Sequence, residues 1–167
     1  IFQAAYMYEP PFANPYLILM IGGRIYQVRL DTDNSVVDLS AVFGLTMPPD
    51  ETIGYMVQGE EFLVIQSGDL ITLPLFWDGS VLRRSIGINN TGASPGDPGV
   101  NELPAGTAMD FYMGRFFYAQ GNAINAGDIT GGNSGTLQYN FKDASLNVTE
   151  NPLVIGGDGF QLPDNSG

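Results

Sequence analysis

The sequence predicts an all-β protein of repeated antiparallel hairpins, either a β-propeller-like fragment or an array of similar blades. Three stretches support this prediction because each has short apolar strands broken by glycine or by Asp-Gly; they lie at residues 16–28, 61–82 and 108–119. The first and third share a Gly-Arg-apolar-aromatic core, at Gly23–Tyr26 and Gly114–Phe117. Hairpins that cannot bury their faces alone are the units of β-arrays. No convincing window has apolar residues at i, i+3, i+4 and i+7, so helices are not expected to dominate.

Residues 1–15 are expected to form an extended proline- and aromatic-rich arm. Prolines at positions 10, 11 and 15 exclude a helix, and the aromatic content is too high for a free linker. A backbone interrupted in this way cannot join a central strand, yet its aromatic side chains still need cover. We therefore expect the arm to lie against a neighbouring molecule through interface residues Tyr6, Tyr8, Phe12 and Tyr16.

A β-rich domain is expected over residues 16–160, followed by a polar tail at 161–167. Between Gly23 and Leu30 the side chains alternate, with Tyr26, Val28 and Leu30 on one face, which is typical of a strand. The expected antiparallel strands lie near residues 16–30, 60–66, 70–84 and 109–119, and a return strand lies at 36–39. Because the chain begins at Ile1 without an initiator Met, we expect it to be a piece of a longer protein.

The regions between these strands carry turn-forming residues. Two prolines and two acids predict a loop at residues 47–51, and the glycines and prolines of 88–106 predict a long exposed excursion. A second glycine-rich break lies at 131–135, and 136–149 is expected to hold a short helix or a further strand pair.

The composition excludes most catalytic chemistry. The chain has no histidine and no cysteine, so it has no Ser-His or Cys-His pair, no imidazole or thiolate zinc site and no disulfide framework. We therefore expect no enzyme and no cofactor.

The net charge of −12, with only six Lys and Arg residues, argues against nucleic acid as a bound partner because phosphate binding needs clustered cations. Membrane insertion is not expected either. The longest apolar run, Tyr16–Ile21, is far shorter than the roughly 20 residues that a helical span needs.

A weak metal-binding candidate is formed by Asp31, Asp33 and Asn34, because closely spaced oxygen ligands suit Ca²⁺. Val36 and Val42 stand where an EF-hand loop needs glycine and glutamate, so that motif is excluded. The alternative is a polar hairpin turn in which Asp and Asn bond their own backbone.

Adjacent acids at Asp50–Glu51 and Glu60–Glu61 are the candidates for a carboxylate pair acting on sugars. Neighbours on a strand point to opposite faces, so neither pair can work alone. The aromatic residues Tyr112, Phe116, Phe117 and Tyr118 are compatible with a carbohydrate platform, but aromatics in alternating strands more often form a core or a subunit contact.

Several of these segments resemble one known family. They are Gly22–Tyr26, Phe62–Gln66, Pro74–Gly79, Leu82–Arg84, Met113–Ala119, Ala126–Ile129 and Ser134–Thr136. Together they resemble the propeller portion of the tail tubular protein B-like nozzle proteins of short-tailed bacteriophages, over most of residues 16–160. The resemblance implies a virion structural protein that forms a ring with copies of itself and other virion proteins, guides DNA and has no catalytic residues.

This expectation agrees with the charge, because an acidic wall repels phosphate instead of retaining it. Three hairpin units cannot close a propeller, which typically has four to eight blades. Either more chain completes the ring or copies of the subunit pack side by side. Two alternatives are an extracellular carbohydrate-binding or adhesive β-module, assisted by Ca²⁺, and a carboxylate-based glycoside hydrolase.

Overall fold

A computed structural model describes residues 1–31, 34–51, 53–88 and 102–127, together with the backbone of 158–161. In these residues the chain forms three antiparallel sheets of four strands each and one short helix. The predicted all-β class with antiparallel hairpins is confirmed.

The first sheet is a meander in which consecutive strands are neighbours. Its order is β1 (Phe2–Tyr8), β2 (Tyr16–Ile21), β3 (Arg24–Val28) and β4 (Val36–Asp38). Helix α1 (Leu39–Phe43) follows directly, and the Asp38 side chain caps it by accepting a hydrogen bond from the Ala41 amide. The sequence analysis did not predict this helix, because five residues are too few to show a helical period.

The second and third sheets repeat this plan. The second has the order β5 (Tyr55–Gly59), β6 (Phe62–Gln66), β7 (Leu75–Trp77) and β8 (Leu82–Arg84). The third joins β9 (Met109–Tyr112), β10 (Arg115–Gln120), β11 (Ala123–Ala126) and β12 (Asp158–Gln161) in sequence order. The predicted strand regions all contain strands, whereas β1, β5, β11 and β12 lie outside them.

The separate arm predicted at residues 1–15 needs correction. Residues Phe2–Tyr8 are a strand of the first sheet, paired with β2 from Phe2↔Ile21 to Tyr8↔Tyr16. The prolines fall in the connection after this strand, where no ladder hydrogen bond is required of them. The β-rich unit therefore begins near residue 2. The glycine-rich break at 131–135, the segment 136–149 and the tail beyond Gln161 lie outside the described residues.

Two apolar clusters hold the three sheets together. The first core cluster lies between the first and second sheets and includes Ile18 and Leu63; the second lies between the second and third sheets and includes Val64 and Phe116. Strand β6 is buried on both faces, since Leu63 and Ile65 enter the first cluster while Phe62 and Val64 enter the second. The second sheet is therefore sandwiched between the other two.

The first strands of the three sheets lie side by side, because β1 contacts β5 and β5 contacts β9. Gln58 joins β5 to the end of β1: its Oε1 accepts from the Glu9 amide at 2.9 Å, and its Nε2 donates to the Glu9 carbonyl at 2.8 Å. This arrangement places equivalent strands of successive sheets next to one another.

Two hairpin turns have the same backbone conformation. Gly22 and Gly23 have φ of 56° and 75°, and Met113 and Gly114 have φ of 48° and 78°. Each pair links two strands whose end residues face each other, Ile21↔Arg24 and Tyr112↔Arg115. Two successive positive φ angles are typical of a type I′ hairpin. The predicted equivalence of Gly23 and Gly114 is thus confirmed.

The segment predicted as a long exposed excursion is buried at its described end. Leu103 is 1% exposed, the Ser85 hydroxyl donates to its carbonyl at 2.7 Å, and Gln66 Nε2 donates to the Pro104 carbonyl at 3.1 Å. The apolar Leu103 side chain belongs to the second core cluster, which explains why this end is not exposed. Residues 89–101 lie outside the described part of the chain.

We expect Asp69→Asn to lower the free energy of unfolding by about 1 to 2 kcal/mol, since hydrogen bonds to a charged acceptor are worth more than neutral ones. The Asp69 carboxylate accepts from the Ser67 and Thr72 hydroxyls and from the Ile71 and Thr72 amides. Burial alone would raise its pKa, but these hydrogen bonds outweigh burial and lower the pKa from 3.8 to about 2.

A carboxyl group with a lowered folded-state pKa stabilises the fold above the unfolded pKa, and this contribution is lost as the pH falls through the folded value. The difference in free energy of unfolding between the wild type and Asp69→Asn should therefore be fully present above pH 3.8 and disappear toward pH 2. Urea unfolding at several pH values measures it, with Asp50→Asn, an exposed carboxylate in the loop before β5, as the control. An equal loss in the two variants would contradict the assignment.

Candidate functional site

The proposed cation loop is described only in part. Asp31 Oδ2 accepts a hydrogen bond from Asn14 Nδ2 at 2.8 Å, and Asn34 has φ of 52°, which Asn adopts readily in turns. Asp33 lies outside the described residues. Among the residues that the structure does describe, no three acidic side chains are close enough together to hold a metal ion. A Ca²⁺ site at this loop therefore stays a prediction.

Two of the four predicted interface residues are buried inside the chain. Tyr8 is 0% and Tyr16 is 4% exposed, and their rings lie 5.3 Å apart. The Tyr8 hydroxyl donates to the Glu61 carbonyl at 2.7 Å, and Trp77 Nε1 donates to the Tyr16 hydroxyl at 3.0 Å. Burial raises the pKa of both phenols, so both stay neutral. Their assignment to an interface between molecules is wrong, because they join the first sheet to the second.

The other two predicted interface residues differ from each other. Tyr6 is partly buried and packs against the first core cluster. Phe12 is fully exposed, at 101%, in the connection between β1 and β2. Of the four residues, Phe12 is the one whose side chain is fully available to another molecule.

The acidic pairs do not form a carboxylate dyad. Asp50 and Glu51 precede β5, whereas Glu60 and Glu61 form the turn after it. A five-residue strand spans about 17 Å at 3.3 Å per residue. Glycosidase carboxylates lie about 5 to 9.5 Å apart. These two pairs are therefore too far apart for the expected chemistry.

The aromatic platform is divided between two faces of the third sheet. Phe116 and Tyr118 are 0% and 1% exposed in the second core cluster, and the Phe116 ring lies 4.9 Å from that of Phe111. Tyr112 is 64% exposed, and Phe117 is partly exposed on the opposite face. The core interpretation holds for Phe116 and Tyr118, and the four rings form no single platform.

A mainly apolar surface, which also carries the Arg24–Asp38 ion pair, covers the side of the first sheet that faces away from the first core cluster. We call it the outer face of the first sheet. Its cross-strand pairs include Met7↔Leu17, Leu19↔Tyr26 and Leu17↔Val28. Met7 is 49% and Ile21 is 39% exposed, and the other side chains of these pairs are partly exposed. Large apolar patches of this kind usually mark interaction sites.

The composition of β2 is the sequence feature that relates to this surface. Strand β2 is apolar at all six positions, Tyr16–Ile21, instead of alternating with polar residues. Strands of this composition are typically covered on both faces. In this structure, β2 has one face in the first core cluster and the other on the surface.

The third sheet also has a mainly apolar outer face, on the side opposite the second core cluster. The pairs Ala119↔Ile124 and Phe117↔Ala126 lie on it, and the register Phe117↔Asp110 and Tyr112↔Arg115 places two charged residues on it as well. An open concavity of about 240 Å³ lies on this side, and Ala108, Asp110, Phe117, Ala119 and Ile124 are among its lining residues. In the described residues, the stack of three sheets thus ends in a mainly apolar face on each side.

Comparison with protein-family models, with curated proteins and with solved structures gives no match to this chain. In the described part of the chain, no helix has the length and apolar character needed to cross a membrane. The surfaces with the clearest functional character in the described residues are the two mainly apolar outer faces, which suit packing against another protein surface.

Proposed function

We propose that this protein is a virion structural component, a bacteriophage tail or nozzle element that assembles into a ring or tube with copies of itself and other virion proteins. The observation that carries the proposal is the stack, in the described residues, of three similar four-stranded sheets with a mainly apolar outer face at each end. Such a stack is suited to continuing across a boundary between molecules.

The sheet arrangement supports a propeller-like assembly. Each sheet is a four-stranded meander, and the first strands β1, β5 and β9 lie side by side. Propeller blades are four-stranded sheets placed around a common axis, typically four to eight in number. Three sheets are too few to close such a ring, so further sheets must complete it.

The charges suit a passage that does not retain DNA. The chain carries a net charge of −12, and all five arginines have partners within the protein. Arg24 pairs with Asp38, Arg83 pairs with Glu102 at 2.9 Å, and Arg29 lies over the Tyr16 ring. Arg84 and Arg115 donate to backbone carbonyls. None of these cations is presented as a cluster for phosphate.

We expect the purified protein to show no binding to duplex DNA, even at low salt, because its field repels phosphate. Fluorescence anisotropy with labelled duplex measures this. A variant carrying Glu9→Lys, Glu60→Lys and Glu61→Lys, which inverts three acids near the joined ends of β1 and β5, should gain salt-sensitive binding. Tight binding by the wild-type protein would argue against a DNA passage.

The virion assignment is tested by purifying particles from the source culture on a density gradient. We expect peptides of this protein to co-sediment with the particles at a fixed ratio to the capsid protein. Recovery in the free fraction alone, together with glycan-array binding that a chelator abolishes, would instead support the extracellular carbohydrate-binding module.

A further inference from the structure

We propose that two copies of this chain close a ring of six sheets, with the outer face of the first sheet in each copy packed on the outer face of the third sheet in the other. The inference rests on the self-assembly proposed above and specifies its interface. In this arrangement, a second copy of the same chain covers both outer faces.

The packing of the three sheets within one chain indicates which outer face of one copy contacts which outer face of the other. The second sheet offers Leu63 and Ile65 to the first sheet and Phe62 and Val64 to the third. Repeating this face-to-face packing beyond the third sheet places another sheet on the outer face of the third sheet. Repeating it in the opposite direction places a sheet on the outer face of the first sheet. A contact between unlike faces therefore extends an interface that the chain already forms twice.

Both surfaces are mainly apolar, and each also carries charged residues: the Arg24–Asp38 ion pair on the first sheet, and Asp110 and Arg115 on the third. On the first sheet, Met7, Leu17, Leu19 and Ile21 are exposed or partly exposed. On the third, Phe117 and Ile124 line the open concavity of about 240 Å³. Soluble monomers rarely leave large contiguous apolar patches uncovered. Packing one face on the other removes both patches from water.

The outer face of the third sheet has space for large side chains, as the second sheet does at its internal contact with the third. A Cβ added to Gly59 on β5 would meet Phe116 at 2.4 Å and Phe111 at 2.5 Å, so aromatic rings of the third sheet pack where the second has no side chain. On the outer face of the third sheet, the small residues Ala108 and Ala119 line the concavity. Large side chains of another first sheet can enter this space.

The number of sheets agrees with a closed propeller. The described residues of two copies contribute six four-stranded sheets, within the four to eight of closed propellers. A contact between unlike faces either closes into a ring or extends into a filament. Closure after two copies leaves neither outer face exposed.

The experiment uses two variants that each block one face with exposed charges. Variant A carries Met7→Glu and Ile21→Glu on the first sheet, and variant B carries Tyr112→Glu and Ala119→Glu on the third. The control carries Val42→Glu and Ile71→Glu, two exposed positions outside both faces, at 63% and 83% exposure. Circular dichroism and thermal unfolding establish that all three fold, and light scattering after size-exclusion chromatography gives their masses.

We expect the wild type and the control to have twice the chain mass of 17.9 kDa, and variants A and B to be monomeric when measured separately. An equimolar mixture of A and B should form a weaker heterodimer, because the third sheet of A and the first sheet of B remain unblocked. No contact between like faces produces this pattern.

The proposal is overturned by a monomeric wild type at 100 times the concentration of the assay, by a larger wild-type assembly, or by variant B remaining dimeric while A does not. Capture of a different protein on these faces by a monomeric wild type would overturn it as well. Its failure differs from failure of the virion assignment: a monomer that co-sediments with particles removes only the six-sheet ring, whereas a dimer absent from particles removes only the virion role.

Discussion

Replacing Gly23 by alanine is expected to lower the free energy of unfolding by about 2 to 6 kcal/mol. Two costs add at this position. The residue has φ of +75°, where a side chain costs about 1 to 3 kcal/mol. In addition, a Cβ would lie 2.2 Å from the Met47 carbonyl oxygen, a backbone atom that cannot rotate away, and overpacking typically costs about 1 to 3 kcal/mol.

The neighbouring glycine supplies a matched control. Gly22 also has a positive φ, of 56°, but a Cβ there meets no atom within 4 Å. We expect Gly22→Ala to cost only about 1 to 2 kcal/mol, from backbone conformation alone. Gly114→Ala, at φ of 78° in the equivalent turn, should also show at least this conformational cost. Urea unfolding measures all three, and equal losses at Gly22 and Gly23 would show that the Met47 contact is unimportant.

Deleting residues 1–8 is expected to abolish cooperative folding of the first sheet. The deletion removes Tyr8, which is 0% exposed in the first core cluster, and truncating a buried aromatic alone costs about 3 to 5 kcal/mol. It also removes Gln3, whose side chain donates to the Pro48 carbonyl at 2.9 Å and the Glu51 carbonyl at 2.8 Å and accepts from the Gly23 amide at 2.6 Å. These losses are comparable with the whole stability of a typical domain, about 5 to 15 kcal/mol.

The control for this deletion is Phe12→Ala, which changes an exposed aromatic in the same region. We expect it to alter stability by less than about 0.5 kcal/mol. Circular dichroism and urea unfolding compare the two. A deletion variant that unfolds with wild-type cooperativity would restore the separate arm at residues 1–15 that the prolines suggested.

The hairpin plan could be predicted because it depends on local backbone chemistry. Gly22 and Gly23 permit the positive φ of a tight turn, and the apolar stretches on either side are short enough to be strands. Helix α1 was missed because five residues are too few to show a helical period, and strand β5 because its sequence, Tyr55–Gly59, does not alternate between apolar and polar residues.

The surface residues of the candidate site, in contrast, could not be predicted from local patterns. Tyr8 and Tyr16 were predicted to contact another molecule because they flank three prolines, but the loop that contains those prolines lets β1 pair with β2 and brings both rings into the core. The outer face of the first sheet was not predicted at all, since a strand that is apolar throughout, such as β2, does not indicate which of its faces is already covered.

The sequence by itself determined the all-β class, the positions of the turns, the absence of histidine and cysteine chemistry, and the acidic charge. These properties belong to single residues or to neighbours along the chain. Only the tertiary structure decided that the sheets stack in chain order, that Phe116 lies inside while Tyr112 lies outside, and that a mainly apolar face lies at each end of the described sheets. The physical reason is that burial depends on contacts between residues far apart in sequence, such as Tyr16 and Trp77, which no local pattern specifies.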